Sequence, residues 1–415
     1  MEEENSTEGI WQFMYSAELD DPERNRRLME DIEYFRTEIV KQKSSAFAVL
    51  SEEAKAEFNS MVDTLIEEVD TLRLTQIFVR IAELVAFMGD AHARVNIFDG
   101  YYYPLNFYIF NDELYIINAD KPREDLLNSK VLKINGVEAS EILNQMERVI
   151  PHENEYWVKT MLPQTIQQAV YLRGLDFVLY NTETIFTIEK DNIVSDVAVP
   201  VLSISDPIVD FIFPEQAGLF AVNDSEYYDY SLIDDTTLLF NYNVCSNQPD
   251  KLFMHFNKEM FDVINENNVD RIIIDVRRNT GGSGGVFTNF TNNLKTYVEK
   301  NPEVKVFVLV GRMTFSAGVT SVSQIIEAVP STVSVGESTG GGVNFYGSAG
   351  ESFRTITTPN LQFEIGYGSM KVDLSKVLPR QDPEVNTFVP DVEMPPTIED
   401  HINQHDAALE YCLDN

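Results

Sequence analysis

The sequence predicts an α/β fold (α+β taken whole), with helices and a small β-rich module preceding a largely parallel sheet. Three observations predict it. Apolar residues recur every three or four positions through residues 1–90, the period changes near residue 100, and in the last two hundred residues buried-type strands alternate with helical patterns. A chain of 415 residues exceeds one ordinary core. The expected domains are 1–95, helical; 96–200, β-rich with helices; and 201–415, α/β.

In the first segment Phe58, Val62, Leu65 and Val69 form one helical stripe, and Leu74, Ile77, Ile81, Leu84 and Met88 form a second. Ser51 followed by Glu52 and Glu53 reads as a helix start, with acids at the positive end of the dipole. The second helix should stop at Gly89, just before Asp90-Ala91-His92. Next, Asn106 to Phe110 and Leu114 to Asn118 flank a polar turn and predict a hairpin. Val131 to Ile134 runs into Asn135-Gly136, a strong turn signal, and Ile142, Leu143, Met146 and Val149 return to helical spacing.

The α/β segment opens its pattern with Arg271 to Val276, an apolar run of the kind buried on both faces. A glycine loop follows, then a helix marked by Val286, Phe287, Phe290, Leu294 and Tyr297. Val304 to Val310 is the next strand. Gly311-Arg312 turns the chain into a helix carrying Val319, Val322, Ile325 and Ile326, which Pro330 ends, and Thr332 to Val335 is a third strand.

Composition excludes several functions. The formal charge of −36, from 67 acidic and 31 basic side chains, repels phosphate backbones and argues against nucleic-acid binding. Acids are scattered along the chain, as on a solvated surface, although such a field would also favour basic peptides. No apolar run is long enough to span a bilayer. Two cysteines, Cys245 and Cys412, supply neither a disulfide scaffold nor a thiolate zinc site. Met1 to Asn5 are acidic, so no signal peptide is visible, and compartment and oligomeric state are left open.

In such sheets ligands gather at the carboxyl ends of the strands, where two loops stand out: Arg277 to Gly285 and Arg312 to Gly318. Ser316 falls at a strand-to-helix junction, followed by the small residues Ala317 and Gly318. Its hydroxyl would lie near unpaired N–H groups at a helix N-terminus, where an oxyanion is stabilised. Serine at that junction is equally a favoured N-cap. The amides of Gly281 and Gly282, with that of Ala317, would supply the donors of an acyl-transfer site. Neither a dinucleotide fingerprint nor a P-loop fits the glycine spacing. A serine nucleophile needs a base, and among five histidines His92 stands out by following a helix end. His401 and His405 read as the solvated face of a terminal helix.

These residues resemble the tail-specific, or C-terminal processing, peptidases. Asp275-Val276-Arg277-Arg278-Asn279-Thr280-Gly281-Gly282 is similar to the family's D-L-R-x-N-x-G-G loop. Val308 to Ala317 resembles its nucleophile segment, Gly336-Glu337-Ser338-Thr339-Gly340-Gly341 its G-E-x-T-x-G element, and Val131 to Gly136 the V-x-x-I-N-G core of a PDZ-like module. The elements occur in the family's order over roughly residues 85–400. The resemblance implies a crotonase/ClpP-like ββα core with helical and PDZ-like additions. It also implies Ser316 as nucleophile, Gly281 and Ala317 as oxyanion donors, peptide or unfolded protein as substrate, and no metal or cofactor.

The base departs from the tail-specific pattern. Where those enzymes place a lysine after the G-E-x-T element, this chain has Gly340-Gly341-Gly342-Val343, and Val319 replaces their glutamate. The resemblance is closer to the tricorn protease core, which takes a histidine from its N-terminal part; His92 matches it, although Ala91 replaces the serine that precedes it there. Glu337 and Asp373 are the candidate carboxylates to orient the imidazole. Two other readings keep the fold: a non-catalytic binding protein, as in the repeats of interphotoreceptor retinoid-binding protein, and a crotonase-like acyl-CoA enzyme.

Overall fold

The computed structural model describes residues 7–97, 99–179, 183–206, 226–348, 353–378, 381–382 and 385–415. The chain divides into two compact units. The first comprises residues 1–152, 161–213 and 346–371, and the second 153–160, 214–345 and 372–415. The expected helical and β-rich segments thus fall mainly in the first unit and the α/β segment mainly in the second.

Helices of the first unit begin where local chemistry starts them. Pro22–Lys41 carries proline in its first turn, and the Asp21 carboxylate accepts from the Glu23 and Arg24 amides at 2.9 Å. Ser51 caps Glu52–Glu68 through the Ala54 amide at 3.1 Å, as expected. The helix Leu74–Ala86 follows, and the chain leaves it through Gly89 at φ 62°. The apolar stripes read from the sequence are buried: Phe58, Val62 and Leu65 on one helix, Ile77, Ile81 and Leu84 on the next.

The β-rich part of this unit is an antiparallel sheet, ordered Leu105–Phe110, Glu113–Ala119, Lys130–Ile134, Thr184–Lys190, Ile193–Val199, with Val137–Glu138 added beside Lys130–Ile134. Both expected turns are present. Asn111-Asp112 and Asn135-Gly136 have positive φ at each residue, the conformation that matches strand twist in a two-residue loop. A third such turn, Asp191-Asn192 (φ 51° and 63°), joins the last two strands. The helix Ala139–Glu147 buries Ile142, Leu143 and Met146.

Residues 353–371 return to the first unit. There Arg354–Thr357 and Glu364–Tyr367 pair antiparallel, and the latter also pairs with Arg94–Val95. The turn between them is held by Asp31, 1 % exposed, whose carboxylate accepts from the Leu361 amide (2.7 Å), the Asn360 amide (2.8 Å) and the Thr358 hydroxyl (3.0 Å).

In the second unit Tyr228–Leu232 runs antiparallel to Thr237–Tyr242. Then Arg271–Asp275, Lys305–Val310, Val333–Gly336 and Val392–Glu393 continue in parallel. The central strands are buried on both faces, as their continuous apolar runs require. Ile272, Ile274, Val306, Val308 and Val310 join one core with the helices Phe253–Asn267, Thr288–Lys300 and Ala317–Ala328; Ile273, Phe307, Leu309 and Val335 join another with Ala408 and Cys412 of Ala407–Asp414. At the C-terminus the single helix expected to carry His401 and His405 is two helices. Ile398–Asn403 ends at Gln404 (φ 56°), and His405 lies in the break, bonded to Asp400 and Glu410.

Replacing Asp31 by Ala leaves two buried donors, the Thr358 hydroxyl and the Leu361 amide, and the part-buried Asn360 donors without this acceptor, and even one buried donor left unpaired costs about 1–3 kcal/mol. The expected outcome is a clearly lower urea midpoint, with Asp31→Asn intermediate.

Candidate active site

Parallel pairing brings the loops of interest to one edge of the sheet. Asp275 lies opposite Leu309, Leu309 opposite Val335, and Val310 opposite Gly336, so the glycine loop, the Ser316 segment and the Gly336-Glu337 element leave the strands at the same level. This is the carboxyl end, where helix N-termini and open loops converge.

Asn279 joins two of these loops. It is fully buried, and its side-chain N–H donates to the Tyr242 carbonyl at 2.8 Å. Its side-chain oxygen accepts from the Gly281 amide (2.9 Å) and the Cys245 thiol (3.2 Å). Its backbone carbonyl accepts from the Phe315 amide at 2.9 Å. Cys245 closes the other side of the loop: its amide donates to the Gly281 carbonyl and its carbonyl accepts from Ser283. The Gly281 amide is therefore engaged, whereas among the described residues neither the Gly282 nor the Ala317 N–H has an acceptor.

Ser316 occupies the first position of the turn into the helix Ala317–Ala328, at φ 53° and ψ −121°. A side chain held in that region costs about 1–3 kcal/mol and persists only when its surroundings impose it. They do so here through close backbone approach. A Cβ on Gly281 (φ 108°) would lie 2.8 Å from the Ser316 Cβ, one on Gly341 3.0 Å from the Ser316 amide nitrogen, and one on Gly318 2.4 Å from the Asn279 carbonyl oxygen. The Ser316 hydroxyl does not cap its helix and makes no hydrogen bond among the described residues, and the residue is half-buried. The N-cap alternative therefore does not describe this serine.

Four further contacts hold the segment. Arg312 and Glu337, both buried, form a two-pronged ion pair with both bonds at 2.8 Å. The Asn154 side chain donates to the Gly340 carbonyl at 3.0 Å and the Thr160 hydroxyl to the Arg312 carbonyl at 2.9 Å. Between them Trp157 stacks on Phe315, ring centres 4.0 Å apart and 16° from parallel. Nothing in the sequence pattern announced residues 154–160 as part of this site.

His92 belongs to the first unit. It follows Gly89 and Asp90, is 8 % exposed, and stacks on Phe353 at 5.4 Å. Burial pulls its pKa down to about 4, so the imidazole is neutral at pH 7. Of the carboxylates expected to orient it, Glu337 is committed to Arg312. Asp373 is exposed and accepts from the Ser375 amide and hydroxyl. A carboxylate that does stand beside the His92 ring is that of Asp90. It is 1 % exposed, with Oδ1 3.8 Å from Nδ1 of His92 and 2.9 Å from the His92 amide. Burial raises its pKa to about 6, against hydrogen bonds from the His92 and Gly368 amides.

Neither protein-family models nor curated proteins match the sequence. Among solved structures, mature CPAF aligns over 94 % of this chain and 96 % of its own, with 11 % identity and a TM-score of 0.64. The chain shares its fold with mature CPAF. Weaker likenesses include the photosystem II D1 C-terminal processing protease (10 % identity, 88 % and 93 % covered, TM-score 0.39) and tricorn protease (11 %, 94 % and 36 %, 0.39).

Two outcomes follow from this geometry. Asn279→Ala removes one donor and one acceptor from a dry site, and a loss of about 1–3 kcal/mol for each group left unpaired is expected in chemical denaturation. The second concerns pH. His92, depressed on folding, contributes stability that is present above about 6.5 and lost as pH falls through about 4. Asp90, raised on folding, contributes stability that is present below 3.8 and lost as pH rises through about 6. The two oppose each other between pH 4 and 6, so Asp90→Asn should lose stability on acidification across that window more steeply than the parent protein, read as Tm against pH.

Proposed function

We propose that the chain is a serine peptidase that hydrolyses peptide bonds by acyl transfer through Ser316, with His92 as general base. The observation that carries this reading is an uncommitted serine hydroxyl at a strained strand-to-helix turn, accompanied by open amides at Gly282 and Ala317. That combination has a cost in stability and no structural return, which is the pattern of a reactive site. Neutral His92 takes the Ser316 proton as Oγ attacks the substrate carbonyl. The oxyanion is held by the Gly282 and Ala317 amides, while Gly281 brings the loop against Ser316. The imidazolium then protonates the departing amine, and water activated by the same imidazole releases the acyl group.

In this reading the parallel sheet is a crotonase/ClpP-like core, and the antiparallel module is PDZ-like and takes an extended peptide end by strand addition. The substrate is a peptide or an unfolded protein. A non-catalytic binding protein and an acyl-CoA enzyme of the same fold are separated from it by one experiment. A fluorophosphonate probe should label the purified protein, Ser316→Ala should abolish labelling, and His92→Gln should slow it by about 10²–10⁴. Absence of labelling with folded protein overturns the hydrolase reading, and CoA-thioester binding would redirect it to the third class.

A further inference from the structure

The geometry points to Asp90 as the positioning residue of His92: its carboxylate holds the imidazole as the Nδ1–H tautomer and leaves Nε2 as the basic nitrogen. The assignment rests on the serine-hydrolase reading and adds the group that the sequence motifs left open.

Asp90 and His92 are one residue apart in a chain that has just left a helix through a left-handed glycine. The carboxylate is fixed from two directions, by the amide of His92 itself and by that of Gly368. Because Oδ1 is tied to the backbone of the residue whose ring it faces, its position follows His92 rather than a distant loop. Oδ1 stands 3.8 Å from Nδ1, beyond a hydrogen bond but within reach of a small ring rotation. Oδ2 is buried and has no hydrogen-bond partner among the described residues, a vacancy that a donor in this pocket would fill. The ring stacks on Phe353 with centres 5.4 Å apart and planes 28° from parallel, which limits how far it can turn. Tyr346 is a further titratable group that senses Asp90: burial raises its hydroxyl in pKa, and the Asp90 charge adds to that. A buried carboxylate beside one ring nitrogen fixes which nitrogen carries the proton. The anion also stabilises the imidazolium formed when Ser316 is deprotonated.

The test reads tautomer and rate separately. Nitrogen chemical shifts of the ring of His92, assigned by difference with His92→Gln, should report the Nδ1–H tautomer near pH 7; the Nε2–H form overturns the proposal. In Asp90→Asn, which keeps an acceptor for the backbone amides, that tautomer preference should be lost and fluorophosphonate labelling of Ser316 should slow at least tenfold in protein that is still folded. Unchanged labelling and shifts overturn the assignment. If Asp90→Asn does not fold, the shifts of the parent protein still decide it. If the parent protein is not labelled at all, the hydrolase reading fails, and the tautomer still shows whether Asp90 governs the ring.

Discussion

The buried side chain of Asn279 is the interaction on which the site depends. A glycine-rich loop has little conformational preference of its own. Here one amide side chain is bonded to the end of a neighbouring strand, to the loop amide at Gly281 and to the Cys245 thiol, while the same residue's carbonyl receives the segment that carries Ser316. Each bond is made out of water, where a missing partner is expensive, so the loops hold one arrangement. Gly281, which donates to Asn279, and Gly318, which lies against the Asn279 carbonyl, pack too closely on this frame for a side chain to fit. The strained backbone of Ser316 is the sum of these constraints rather than a preference of serine.

The fold was legible where burial and chemistry repeat with a period. The strand Arg271–Asp275 and the run Lys305–Val310 are apolar without alternation because both faces are covered, and that pattern survives in sequence. Asn135-Gly136 declares its turn because few residues adopt positive φ twice in succession. The return of residues 353–371 to the first unit was not legible. Its strands are four residues long, and its anchor is one carboxylate, Asp31, more than three hundred positions earlier. Short strands carry little periodicity, and a long-range hydrogen bond leaves no local trace.

The site divides along the same line. The loop at Gly281 and Gly282 was readable because positive φ at two consecutive positions restricts residue type. The contribution of Asn154, Trp157 and Thr160 was hidden, since it depends on where a helix packs. Glu337 carries a commitment that the sequence does not announce. Arg312, which precedes Ser316 by four residues, takes both of its oxygens. A signal for Asp90 did exist, in its spacing of two from His92 next to a helix-ending glycine, but only burial of both side chains turns that spacing into an electrostatic pair.

Burying an acid beside a base has a consequence that neither side chain shows alone. Loss of hydration penalises every charged form, so the carboxyl holds its proton up to about pH 6 and the imidazole releases its own down to about 4. With the carboxyl titrating above the imidazole, the doubly charged pair is not the resting state at any pH. Near neutrality the pocket holds an anion beside a neutral ring. Protonation of that ring would place an ion pair where the buried carboxylate has only backbone amides to offset its charge. In the proposed reaction, the step a hydroxyl nucleophile demands of its base is the step that this carboxylate favours. A lysine in the same surroundings would instead have to be stripped of its proton before it could act.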